Sequence, residues 1–331
     1  MFPWRCIRVC DVLDVALGCI SVLPHVKKNL IGRIAFHPPQ PAGYKIVDGF
    51  LLLVRGTEVV RVPNKLGNSL VSVGICPPGP ELAVTVHKLP YGHGVLIGDI
   101  SGLVLLVCHG NSIDIGFMFS TAAKLARNLH ASVFLYDYTG YGPNDEKLSP
   151  SEESLYRDTQ HAYEYLTKDL RVRSSNIVVY SQSIGTVAAL HLVSKGNDRL
   201  GGLVLHSSLL SGLSLIRDKW KADNALRRSP LCDVFSSHDK LAAVGGVSIN
   251  TQIRRTPVLF IHGRLDTVLP LAHSLAMCRQ LSAINQHVYS WWPENCGHND
   301  VEERNPQKFW EELSAFMVLV KGRPKNACAS E

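Results

Sequence analysis

Val178-Val179-Tyr180-Ser181-Gln182-Ser183-Ile184-Gly185-Thr186 is the stretch on which the reading of this chain turns. Ile177 to Tyr180 is a β-branched, apolar run of strand length. Val187-Ala188-Ala189-Leu190-His191-Leu192 then changes to helical character. A buried strand, a sharp turn carrying a serine and the start of a helix are what a nucleophile elbow requires. So tight a turn needs small residues two before and two after the serine. Gly185 meets that need, and Ser181 stands where the G-x-S-x-G pattern has glycine, as the next smallest polar choice. Taken alone, the stretch also reads as an ordinary strand-to-helix turn that holds two serines.

Working outward, the chain from residue 103 alternates strand and helix. Strands are expected at Leu103–Val107, Val133–Tyr136, Ile177–Tyr180, Gly202–Leu205, Pro257–Ile261 and His287–Trp292. Helices are expected at Phe117–Leu129, Glu152–Leu170, Thr186–Lys195, Leu271–Leu281 and, closing the fold, about Pro306–Val320. Continuous apolar strands separated by helices imply a parallel sheet covered on both faces. Right-handed crossovers then bring the strand C-termini to one edge, where sites form. Before residue 103, short β-type runs separated by Gly, Pro and Asn (Phe50–Arg55, Glu58–Val62, Leu70–Ile75, Leu82–His87, Val95–Ile100) read as antiparallel hairpins leading into that sheet. Residues 207–256, rich in Ser, Gly and Arg, interrupt the rhythm as a small cap or a long connection. The expected domain spans 36–321, with 322–331 as a tail.

The bulk of the chain agrees. Of its 331 residues, 46% are hydrophobic and 19% charged, which excludes a disordered polymer. A net charge of +6 with no Lys/Arg stripe interleaved with aromatics gives no nucleic-acid argument. The nine cysteines are scattered, odd in number and without a C-x-x-C pair, so neither a disulfide framework nor a zinc site is expected.

Three further features fall at expected strand ends. Cys108-His109-Gly110-Asn111-Ser112 is a small turn able to aim a backbone N–H, that of Asn111, at a developing oxyanion beside the N–H of Ile184; its plainer reading is a βα turn with Ser112 or Asp114 as helix N-cap. His262-Gly263-Arg264-Leu265-Asp266 puts an acid just past a strand, or else a surface turn aspartate. Asn295-Cys296-Gly297-His298-Asn299-Asp300 puts a histidine on the loop after the last strand, or else one solvated histidine of the chain's 14. Each is weak alone. Together they give Ser183, Asp266, His298, the chain order of α/β-hydrolase triads. Serine is a poor nucleophile at its own pKa and needs a base, here His298, with Asp266 orienting the imidazole. The implied chemistry is acyl transfer to water through an acyl-enzyme, with no cofactor and no metal.

These residues resemble a known group, the α/β-hydrolase-domain-containing protein 17 family of membrane-tethered serine hydrolases that remove palmitate from proteins. The likeness is carried by His109-Gly110-Asn111, Tyr136-Asp137-Tyr138-Thr139-Gly140-Tyr141-Gly142, Gln182-Ser183-Ile184-Gly185-Thr186, Leu205-His206-Ser207, Cys232-Asp233-Val234-Phe235, His262-Gly263 with Asp266, and Gly297-His298-Asn299-Asp300. It covers about 103–320 and extends weakly to Ile34-Ala35-Phe36-His37-Pro38-Pro39. Departures are Ser181 in place of glycine, a sparser N-terminal cysteine set and an apparent insertion at 243–255. The resemblance implies an S-acylated protein as substrate. A carboxylesterase or lipid hydrolase, a serine peptidase-like hydrolase and a non-catalytic binding module share the same sequence pattern.

Residues 1–35 stand apart. Cys6, Cys10, Leu13, Leu17 and Ile20 recur on one helix face, followed by Lys27, Lys28 and Arg33, while Asp11 and Asp14 argue against a signal peptide or spanning helix. Two readings stand: a helix packed on the domain, or an interfacial tether acylated at Cys6 and Cys10, with Cys19 facing roughly the other way. The tether reading implies the cytoplasmic face of a membrane; the other, the cytosol.

Overall fold

The computed structural model describes residues 35–48, 50–55, 58–62, 82–143, 148–195, 199–212, 214–215, 234–237, 241 and 251–323. The candidate acylation sites Cys6, Cys10 and Cys19, the strand expected at Leu70–Ile75, most of the 207–256 connection and the tail beyond 323 lie outside the described residues.

Three strands, β1 (Tyr44–Val47), β2 (Phe50–Arg55) and β3 (Glu58–Val62), form a small antiparallel sheet in the order β1-β2-β3. The main sheet has eight: β4 (Val84–Leu89), β5 (Gly92–Ile97), β6 (Val104–Cys108), β7 (Ser132–Tyr136), β8 (Ile177–Gln182), β9 (Gly202–His206), β10 (Val258–Ile261) and β11 (Val288–Trp291). Their order is β11-β10-β9-β8-β6-β7-β5-β4. β6 to β11 run parallel, and the β4–β5 hairpin joins β7 antiparallel at the far edge. This is the α/β-hydrolase sheet, and the expected strands from residue 82 onward fall within a few residues of their places.

Both faces of the sheet are covered, which is why its strands read as continuous apolar runs rather than alternating ones. Successive residues still part to opposite sides. Leu106, Phe134, Val179, Leu203 and Phe260 enter one buried cluster with helices α2 (Glu152–Glu164) and α3 (Gly185–Lys195). Leu105, Val133, Val178, Val204 and Leu259 enter the other with α1 (Ile115–Leu129) and the closing helix, Pro306–Gly322. Each such side chain taken from water contributes about 1.5–3 kcal/mol.

Helix ends follow local chemistry. Asp114 caps α1 by accepting the Phe117 N–H, as the plainer reading of that turn expects. Ser151 caps α2 in a reciprocal box with Ser154. The helix expected through Leu170 stops being α-helical at Glu164 and widens into a π turn over Tyr165–Asp169, closed by the Leu170 N–H on the Tyr165 carbonyl. Three short elements escape the apolar-pattern reading: β1, α4 (Thr251–Arg255) and α6 (Val301–Arg304). All are too short to show a period. Between α4 and α6 lies α5 (Ala272–Ser282), and Pro306–Gly322 is α7.

The register carries the functional consequence. Gln182 is opposite His206, His206 opposite Ile261, and Ile261 opposite Trp291. Strands β8 to β11 therefore end in one row, and the loops bearing Ser183, Asp266 and His298 leave from neighbouring points of it.

Candidate active site

Ser183 occupies the turn between β8 and α3 at φ 54°, the left-handed region that L-residues other than glycine rarely adopt. The surrounding structure enforces that conformation. The Ser183 N–H donates to the His206 carbonyl of β9 (2.9 Å), and the Thr186 N–H returns to the Ser183 carbonyl (3.0 Å). Gly185 is required by contact, since a Cβ there would collide with the backbone of Cys108 and His109. Ser181 has a role of its own. It is fully buried, and its hydroxyl donates to the Val204 carbonyl (2.7 Å), so the departure from glycine is accommodated by a cross-strand bond and the elbow keeps its shape.

Asp266 lies in the loop after β10 with its carboxylate buried and fully engaged. Oδ1 accepts the N–H groups of Val268 and Leu269, both at 2.8 Å. Oδ2 accepts His298 Nδ1–H at 2.6 Å and faces His262 Nε2 at 3.2 Å. Burial pushes this carboxyl up, but the bonds from His262 and His298 outweigh it and hold Asp266 well below the usual carboxylate range. With Nδ1 committed to Asp266, His298 keeps Nε2 as the nitrogen able to take a proton. The His298 loop is tied to the elbow: Gln182 Nε2 donates to Asn299 Oδ1 (3.3 Å), and the Ser207 hydroxyl to the His298 carbonyl (3.4 Å).

His262 belongs to the His262-Gly263 motif, and the sequence pattern implies no task for it. Its Nε2 meets the Leu269 carbonyl (2.9 Å), so that nitrogen carries hydrogen. Nδ1 pairs with the Ser274 hydroxyl (2.7 Å), which pairs with that of Ser208 (2.5 Å). A buried polar chain thus runs Ser208–Ser274–His262–Asp266–His298, with no break in donors and acceptors. No spacing rule marks Ser208 or Ser274, because the fold alone brings β9, β10 and α5 together. His206, also buried, accepts or donates at Tyr180 Oη (3.1 Å); burial, with the neighbouring His298 and His262, pulls it down to about 3 and keeps it neutral.

The loop after β6 carries Asn111, one of the two expected oxyanion donors. Among the described residues neither the Asn111 N–H nor the Ile184 N–H meets a protein acceptor, and Gly110 lies against Ser183, an added Cβ there coming to 3.7 Å from the Ser183 Cβ. Ile184 immediately precedes α3, whose N-terminal end favours negative charge. The motif Tyr136–Gly142 forms the wall behind this loop. Tyr138 Oη donates to the His109 carbonyl (2.8 Å), Tyr141 Oη to Asn111 Oδ1 (2.6 Å), and Asp137 faces His109 Nε2 at 3.4 Å. Among the described residues no group of three or more His, Cys, Asp or Glu side chains is arranged to hold a metal ion.

Sheet order, elbow and the Asp–His pair together define an α/β hydrolase. Comparison with known proteins agrees. Residues 101–223 match the family described as "Serine aminopeptidase, S33". The α/β-hydrolase domain-containing protein aho-3 of Caenorhabditis elegans is 31% identical over 306 residues, which span 92% of this chain and 82% of that protein. Human α/β-hydrolase domain-containing protein 17C is 37% identical over 202 residues, spanning 61% of this chain and 54% of the relative, and human 17B is 33% identical over 198. The chain belongs to this family of α/β-hydrolase domain-containing proteins. Among solved structures an esterase from Pyrococcus furiosus superposes with a TM-score of 0.57 at 16% identity, covering 81% of this chain and all of that one, a likeness of fold.

Proposed function

We propose that the protein is a serine hydrolase that cleaves long-chain acyl thioesters of S-acylated proteins at a membrane surface. The observation that carries the reading is the buried His298–Asp266 bond of 2.6 Å on a loop tied to the strained elbow that bears Ser183. In this reading Ser183 attacks the acyl carbonyl while His298 Nε2 takes its proton. Asp266 stabilises the imidazolium, and the N–H groups of Asn111 and Ile184 receive the oxyanion. Collapse expels the thiol, which takes the proton from His298, and leaves an acyl-Ser183. Water, deprotonated by the same imidazole, then releases the fatty acid. The chemistry needs neither metal nor organic cofactor.

Substrate class rests on the likeness to the 17B and 17C proteins and on the rim of the site. Leu265 and Val268, flanking Asp266, are 61% and 43% exposed, apolar neighbours suited to an amphiphilic substrate. Among the described residues no helix is long and apolar enough to cross a membrane. In this reading membrane contact falls to the N-terminal segment through acylated Cys6 and Cys10, which share one expected helix face, with Cys19 as a further candidate.

The deciding experiment compares hydrolysis of a palmitoyl-cysteine peptide with its oxygen-ester counterpart by the full chain, with Ser183→Ala as blank. Ser183-dependent preference for the thioester is expected. Preference for the oxygen ester would move the protein to the carboxylesterase or lipid-hydrolase class. Failure of a fluorophosphonate to label well-folded protein would mean a binding module.

A further inference from the structure

Residues 35–44 lie as a strap along the oxyanion loop and the start of α1, and they are held at both ends. At the first end the Asn111 side chain is the joint. Its Nδ2 donates to the Ala35 carbonyl (2.8 Å), and its Oδ1 accepts the His37 N–H (2.9 Å), the Tyr141 hydroxyl (2.6 Å) and the Ser112 N–H (3.1 Å). At the second end the Gly43 N–H donates to Asp114 Oδ2 (2.6 Å) and the Tyr44 hydroxyl to Asp137 Oδ2 (2.6 Å). Gly116 lets the two backbones touch there, since any Cβ on it would strike Gly43. Between the ends, Phe36 is only 3% exposed and packs edge-on against Tyr141 and Phe235, at 6.5 and 5.7 Å.

We propose that this strap is a positioning element for the oxyanion hole, acting through the Asn111 side chain. The inference rests on the proposed serine-hydrolase reading, in which the Asn111 backbone N–H receives the oxyanion. An oxyanion donor works only when aimed in advance. Ser112, next in the loop, is itself at φ 60°, a conformation that local bonds must maintain. The Asn111 amide supplies those bonds, and two of its four partners belong to the strap. Strap residues touch no reacting atom; they act by fixing where one N–H points.

The test is a double-mutant cycle in the full chain with Asn111→Ala and Phe36→Ala, read as kcat and KM on a soluble p-nitrophenyl ester, with thermal midpoints measured alongside. Asn111→Ala keeps the backbone N–H, so a direct donor is retained and only its aim is lost. The expected result is a fall in kcat of about tenfold with KM within about threefold, less than the roughly 10²–10³ of removing a donor outright. Phe36→Ala is expected to lower kcat in the same way, and the double variant to fall little further than the worse single. If Asn111→Ala does not fold, Tyr141→Phe replaces it in the cycle. Lowered thermal midpoints with unchanged kcat, or additive losses, would overturn the strap's role while leaving the functional reading intact. Absence of Ser183-dependent hydrolysis by the unaltered chain would overturn both.

Discussion

Replacing Asp266 by Asn tests the site most sharply, because shape is nearly conserved and charge is not. The carboxylate receives two loop N–H groups on Oδ1 and two imidazoles on Oδ2. An Asn carbonyl can keep the loop N–H groups of Val268 and Leu269. Its NH₂ then points at two imidazole nitrogens that are both donors in the native protein. His298 must switch to the tautomer with its proton on Nε2, losing the one on Nδ1, to relieve the clash, and a protonated Nε2 cannot take the proton of Ser183. The corresponding change in the serine-protease triad, a general precedent and not a property of this chain, costs about 10⁴ in kcat. At 1.36 kcal/mol per decade that is roughly 5 kcal/mol of transition-state stabilisation. A charge-assisted hydrogen bond by itself contributes only about 1.5–3 kcal/mol, so the tautomer and the lost imidazolium partner must carry the rest. The assay is steady-state ester hydrolysis beside the rate of fluorophosphonate labelling of Ser183, on protein whose circular dichroism matches wild type. A kcat within tenfold of wild type would refute the assignment of Asp266 as the orienting acid.

Three other outcomes are expected. Ser181→Gly removes the buried bond to Val204 and adds strand-backbone entropy, so urea unfolding should show a loss of about 1–2 kcal/mol while kcat stays within about threefold; a large activity loss would mean that Ser181 shapes the elbow directly. His206 is held down to about 3, so the unfolded state takes up a proton between its ordinary value near 6.5 and about 3 that the folded state refuses. Stability should therefore fall as pH drops through that window, by up to about 1.4 kcal/mol per pH unit, and His206→Asn should flatten the slope measured by urea titrations at several pH values. Below about pH 4 the depressed carboxyl of Asp266 adds a second loss of the same sign, since its carboxylate contribution is complete only above the unfolded value. Finally, a Cys6→Ser, Cys10→Ser double variant should leave the membrane fraction on cell fractionation; unchanged membrane association would remove acylation as the anchor.

How far the sequence could be read follows from the kind of signal each element leaves. The parallel strands announce themselves because both faces are buried: Val104–Cys108 and Ile177–Tyr180 are unbroken apolar runs. Ser183 was legible because an elbow needs a strand, small neighbours and a helix in immediate succession, which are all local requirements. Asp266 and His298 were legible only as a set, through chain order and strand ends. The sequence marks Asn111 only through its N–H; the bonds of its side chain leave no local signal, since its partners at Ala35, His37 and Tyr141 are distant in the chain. β1, at four residues too short to show a period, escapes the pattern reading although Tyr44 is wholly buried.

By itself, then, the sequence determined the fold class and singled out Ser183, Asp266 and His298 as candidates, because hydrophobic periodicity and turn stereochemistry act over a few neighbouring residues. Only the tertiary structure decided how those groups are held. The row formed by Gln182, His206, Ile261 and Trp291 sets the loops beside one another. The Ser208–Ser274–His262 chain feeds Asp266 from behind, and the strap 35–44 locks onto Asn111. These are hydrogen bonds between segments far apart along the chain, set by sheet register and helix packing, and no local pattern encodes them.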